Sequence, residues 1–171
     1  MKTALLPAAL LLAATLPAQA AELNVAVQLP KLSVAEYHKP YVAVWIEDSN
    51  KQVVSNLTVW YDAKMANNEG EKWLKDMRQW WRKTGRTLTM PVDGVTGATQ
   101  GPGQYDLSFI AGKAPLNNLE SGDYTLRVEA AREVGGREVV DIPFQWPPAK
   151  AATFNATGST ELGAVAVSIK P

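Results

Sequence analysis

The 171-residue sequence contains no cysteine and a single histidine, His38. Without thiols the chain has no disulfide staple, no thiolate-held iron–sulfur cluster and no thiol redox chemistry of its own. One histidine among scattered carboxylates offers no transition-metal ligand spacing. No serine stands in a nucleophile elbow, so a small secreted hydrolase or metal-handling protein is the least supported class. Net charge is also lacking: 17 basic residues face 17 acidic ones with no basic block, which disfavours nucleic acid or an anionic membrane as partner. No uninterrupted apolar run reaches the roughly 18 residues that suggest a bilayer span, so direct membrane insertion is not expected.

What is present begins with an export signal. Lys2, the apolar run Ala4 to Ala14 and the small residues Ala18-Gln19-Ala20 before Ala21-Glu22 form an n-region, an h-region and a cleavage site. Residues 1–20 are therefore expected to be a cleaved signal peptide and the mature chain to be periplasmic. No cysteine precedes the cleavage site, which argues against a lipid anchor. Residues 21–171 are expected to form one domain, long enough for a real core.

The dominant periodicity is two. Tyr41 to Asp48 puts Val42, Val44 and Ile46 on one face, and Gln52 to Tyr61 follows the turn residues Ser49-Asn50, which reads as a hairpin. Tyr124, Leu126, Val128 and Ala130 alternate with Thr125, Arg127 and Glu129. Gly135-Gly136 then turns the chain into Val140, Ile142, Phe144 and Trp146, a second hairpin. Leu23 to Leu29, residues 105–110 and Gly163 to Ile169 add strands. Short strands separated by turn signals predict a mainly β fold, an immunoglobulin-like β-sandwich.

One segment departs from this pattern. Trp73, Leu74, Met77, Trp80 and Trp81 fall on one stripe of a helix over about 71–83, with Gly85 suited to its C-terminal cap. Most of these rings are expected in the core, with one exposed tryptophan near the following loop. Trp45, Trp60 and Trp146 are expected in the sandwich core, and His38, beside Lys39-Pro40, at a strand entry. The sequons Asn56-Leu57-Thr58 and Asn155-Ala156-Thr157 are assigned no role. Pro91, Gly94, Gly97, Gly101, Pro102 and Gly103 make the stretch after the helix a long loop, the kind of place where function is carried.

Inside that loop lies Asp93-Gly94-Val95-Thr96-Gly97-Ala98-Thr99, which fits Asp-x-x-(Ser/Thr)-Gly-Ala-(Ser/Thr) at all five fixed positions. Gly97 and Ala98 give a slim backbone, and Gly97 has access to positive φ. Asp93 and Thr96 can hold the loop in a turn by hydrogen-bonding to nearby backbone. The alternative is an ordinary polar turn.

The segment resembles the flavinylation sites of the FMN-carrying subunits of sodium-pumping NADH:quinone reductase and Rnf complexes. That resemblance implies FMN held by a phosphoester on Thr99, donated from FAD by a separate flavin transferase, with Asp93, Thr96, Gly97 and Ala98 presenting the acceptor. Tyr41 to Asp48, Leu57 to Tyr61, Trp73-Leu74, the motif and Gly122 to Glu129 together resemble a bacterial family of predicted periplasmic domains of unknown function associated with extracytosolic flavinylation. The implied role is an electron carrier reduced by a membrane partner such as a PepSY-type transmembrane reductase. The competing class is a cofactor-free periplasmic binding or adaptor domain, in which the motif is only a turn.

Overall fold

Runs that alternate apolar and polar residues pair first with their neighbours in the chain, and the rest of the fold is built on those hairpins. The computed structural model describes residues 20–171 apart from 118, so nearly all of the expected leader lies outside the described residues. The described strands are β1 (Glu22–Leu29), β2 (Tyr41–Asp48), β3 (Val53–Tyr61), β4 (Thr96–Ala98), β5 (Gly103–Ile110), β6 (Gly122–Ala131), β7 (Arg137–Trp146), β8 (Ala152–Thr157) and β9 (Ala164–Lys170). Both predicted hairpins form, β2 with β3 and β6 with β7. Asp48 sets the first turn, its Oδ1 accepting from the Asn50 and Gln52 N–H groups at 2.9 and 2.8 Å, as Asx turns do.

The molecule is mainly β, with two sheets facing each other. One has the order β5-β1-β9-β8 and the other β4-β3-β2-β6-β7. Alternate residues of β1 and β9 (Leu23, Val25, Val27; Val165, Val167, Ile169) meet Val42, Val44, Leu126, Val128 and Ile142 from the second sheet in a buried core. Pro143 interrupts β7 without harm because β7 pairs only with β6 and lies at a sheet edge.

A third layer covers the outer face of the five-stranded sheet. Ala43, Trp45, Val59 and Tyr61 pack there against Leu74, Met77, Trp80 and Val95 in a second buried cluster. Residues from Val42 to Glu47 are consequently buried on both faces of β2. Trp45, expected in the sandwich core, belongs to this outer cluster, whereas Trp60 and Trp146 lie between the sheets.

The covering layer differs from the single helix expected over 71–83. A 3-10 segment, Ala66–Asp76, precedes a short helix α1 (Arg78–Lys83), and Met77 between them is non-helical at φ −76° and ψ 72°. The break leaves Leu74, Met77 and Trp80 buried but turns Trp73 outward. Gly85 is not a positive-φ cap. A Cβ there would lie 2.5 Å from the Trp80 ring, so close packing requires the glycine.

The cover also buries polar residues that alternation alone would place in solvent. Glu129 on β6 is fully buried, accepting the Gln79 and Trp80 N–H groups at 3.1 and 2.8 Å and pairing with Arg137 at 3.0 Å. It caps a helix start that has no capping side chain of its own. Asn56, in one sequon, accepts from Trp80 Nε1 at 2.8 Å and helps seat the same helix.

Candidate functional site

The motif forms the end of a turn and an edge strand. Gly94 has φ +68°, a left-handed conformation that glycine adopts without steric cost. The Val92 N–H donates to Thr96 Oγ1 at 2.8 Å, while the Thr96 N–H donates to the Val92 carbonyl at 2.9 Å. Thr96 therefore holds the turn as expected. The Asp93 side chain is exposed and makes no hydrogen bond among the described residues; it lines a separate depression with Asn56, Thr84 and Pro115.

The stretch expected to be a long loop contains β4, hydrogen-bonded in parallel to β3 with Thr96, Gly97 and Ala98 opposite Val59, Trp60 and Tyr61. Thr58 Oγ1 and the Val59 N–H both donate to the Val95 carbonyl, at 3.1 and 2.9 Å. Gly97 does not use the positive φ expected of it, and its missing side chain has a packing role as well. Positive φ falls at Gly94, whereas a Cβ on Gly97 would lie 2.8 Å from Trp60 Cδ1. Trp60 is buried and meets Tyr105 edge-on at 5.3 Å, and the Tyr105 hydroxyl donates to the Gly101 carbonyl at 2.9 Å. The chain is thus fastened on both sides of Thr99.

Thr99 is half-buried and opens into a cleft of about 400 Å³. The volume lies within the range of small-molecule sites. The cleft collects chain segments at one end of the five-stranded sheet: the approach to β2 (Tyr37, His38), the exit of β3 (Asp62), the 3-10 segment (Trp73), the end of β4 (Thr99) and the end of β6 (Arg132). Trp73 is 42% exposed there. It is the exposed tryptophan expected near the motif; Trp80 is buried and Trp81 does not line the cleft.

Aromatic and charged groups both line this wall. Burial raises the Tyr37 and Tyr41 phenols above their ordinary range despite opposing effects from Arg132 and an Asp62 backbone contact, respectively, so both are neutral donors. Tyr41 already donates to the Gly70 carbonyl at 3.1 Å. Arg132 is occupied too, paired in a fork with Glu161 at 2.9 and 3.1 Å. His38 stands at the approach to β2 as expected, with its ring nitrogens 3.0 Å from Glu36 and 3.5 Å from Glu133.

Behind Arg132, Glu138 ties β7 to the β8–β9 turn. It accepts from the Ser159, Thr160, Glu161 and Leu162 N–H groups and the Ser159 hydroxyl at 2.6–3.0 Å. Partial burial pushes this carboxyl up, but the hydrogen bonds prevail and hold it at about 2, against an ordinary 4.5. This clamp joins the two sheets behind the cleft.

Among the described residues no group of histidine, cysteine and acidic side chains is placed to hold a metal. No helix among them is long and apolar enough to cross a membrane. The family model for "Predicted periplasmic protein (DUF2271)" matches residues 22–164, most of the chain. The chain belongs to the DUF2271 family. The protein is accordingly periplasmic. Neither a curated protein nor a solved structure matches this DUF2271 chain. The matched region includes both the motif and every segment that lines the cleft.

Proposed function

We propose that this DUF2271 protein carries FMN on Thr99 as a phosphoester and relays electrons in the periplasm from a membrane reductase to an extracytosolic acceptor. The observation that carries the reading is the coincidence of the motif with the cleft: its final threonine is the one motif residue among those lining that space, which an exposed indole also lines. The donor chemistry fits. Thr99 supplies a hydroxyl, and Gly97-Ala98 give a narrow approach for a modifying enzyme. In the attachment, Thr99 Oγ forms a bond to the FMN phosphorus of FAD, the bond to the AMP phosphate breaks, and the hydroxyl proton leaves with AMP as product. Bound FMN supplies one- and two-electron chemistry that this cysteine-free chain otherwise lacks.

The protein's own contribution is placement. β4 and the Tyr105–Gly101 bond fix the Thr99 backbone, and the neutral tyrosines with Trp73 offer an aromatic, partly dry wall. A flavin transferase is the modifying partner and a PepSY-type transmembrane protein the electron donor in this proposal. The scaffold is an immunoglobulin-like variant of the two-sheet sandwich. The competing reading, a cofactor-free adaptor, draws on an apolar depression at the other end of the sheet, between Tyr124, Phe144, Pro148 and Phe154. Co-expression with a flavin transferase separates the two: the carrier gives a yellow band that survives denaturing electrophoresis and disappears in Thr99→Ala, whereas an adaptor is colourless in both.

A further inference from the structure

We propose that the cleft beside Thr99 is the seat of the isoalloxazine ring, with Trp73 as the face on which the ring lies. This rests on the attachment reading and adds where the untethered end of the cofactor goes. Three observations converge on it.

First, Trp73 has no packing reason to be exposed. The apolar stripe that buries Leu74, Met77 and Trp80 could have included it, but the break at Met77 turns it away from that cluster and into the cleft wall. Second, the cleft is lined by three aromatic rings from two parts of the chain: Tyr37 and Tyr41 at the entry to β2, and Trp73 on the 3-10 segment. Third, the anchor is fixed. Because β4 is hydrogen-bonded to β3 and Gly101 is held by Tyr105, the phosphoester would start from a defined point on the cleft rim, so the tether keeps the ring at high effective concentration over the indole. A freely swinging loop would not.

Charged side chains share the wall with these rings, among them Lys39, Asp62, Asp76 and Glu133. Arg132 is engaged with Glu161, and His38 lies between Glu36 and Glu133. Trp73 is a positioning residue for the ring here, and the tyrosines complete the wall.

An indole stacked on a flavin quenches its fluorescence, because an electron passes from the indole to the photoexcited ring and returns. Protein loaded by a flavin transferase, with loading on Thr99 verified by mass, is compared as wild type, Trp73→Phe and Trp73→Ala by fluorescence lifetime and visible circular dichroism. Wild type is expected to show a dominant short-lived component and an induced dichroic band. Trp73→Ala is expected to lower the docked-to-free ratio of the ring about two- to twelvefold, the range an aromatic pair supports, and to weaken the band. Trp73→Phe keeps the band while the lifetime lengthens.

A wild-type decay matching free FMN, or quenching that survives undiminished in Trp73→Ala, overturns the seat while leaving the attachment intact. Failure of Thr99 to gain FMN overturns both. Denaturant melts of the unloaded variants show whether a lost band reflects the missing indole or a damaged fold; a lost band with unchanged stability supports the seat.

Discussion

Gly97→Ala is expected to destabilise the protein through Trp60 rather than through the backbone. A Cβ on residue 97 would lie 2.8 Å from Trp60 Cδ1 and 3.2 Å from Nε1, inside the ordinary 3.4–4 Å contact range. The indole cannot easily retreat, being buried and braced edge-on by Tyr105. Overpacking of this kind costs about 1–3 kcal/mol. Residue 97 lies in a strand without positive φ, so alanine also restricts the unfolded chain and recovers about 0.4–1 kcal/mol. The net loss spans about 0–2.6 kcal/mol with a midpoint of about 1.3 kcal/mol, the midpoint being about 3–5 °C in melting temperature for a domain of this size. Thermal and urea melts of wild type, Gly97→Ala, Trp60→Phe and the double variant check it. The smaller ring should relieve the clash and give a coupling of at least about 0.5 kcal/mol. If the two substitutions simply add, the close approach is not what requires glycine.

Other perturbations probe the surrounding structure. Glu129→Gln leaves the start of α1 and Arg137 without their buried carboxylate; a loss of about 2–4 kcal/mol in urea melts is expected, and a change below about 0.5 kcal/mol would show that the cap is dispensable. Glu138 has a folded pKa depressed below its unfolded value, so its stabilisation is fully present above about pH 4.5 and is lost as pH falls toward about 2. The shift corresponds to at most about 3.4 kcal/mol, reduced to about 1–2 kcal/mol by screening at a partly exposed site; Glu138→Gln should flatten the acid limb of the stability curve in that window, and an unchanged limb would refute the clamp. Thr99→Ala should alter the stability of the unloaded protein by no more than about 0.5 kcal/mol, since Thr99 is half-buried at a cleft rim; a larger loss in the same melts would give Thr99 a structural role.

The long strands were legible because each presents one apolar face to the sandwich core, which imposes a period of two. β8 carries little sequence signal because its edge position leaves Thr153, Phe154 and Asn155 exposed, so little burial marks its sequence. β4 spans only three residues, one of them glycine, and its pairing with β3 depends on a contact made 37 positions away in the chain. The covering layer explains the remaining differences. Alternation shows that Glu129 faces away from the sandwich core, but not that a helix start waits there for a carboxylate. The apolar stripe from Trp73 to Trp81 marks a helical segment, yet its period cannot reveal that the chain departs from helical geometry at Met77. The motif was local and therefore readable. The cleft is assembled from Tyr37, Trp73, Thr99 and Arg132 on separate elements, so only the folded chain brings them together.

Intact mass is the most direct test of the central claim. Mature protein co-expressed with a flavin transferase is compared with Thr99→Ala and with protein made without the enzyme, alongside an established acceptor as a positive control. The account predicts a gain of FMN less one water that requires both the enzyme and Thr99. An unmodified mass while the control acceptor is modified, or a gain that persists in Thr99→Ala, would contradict it.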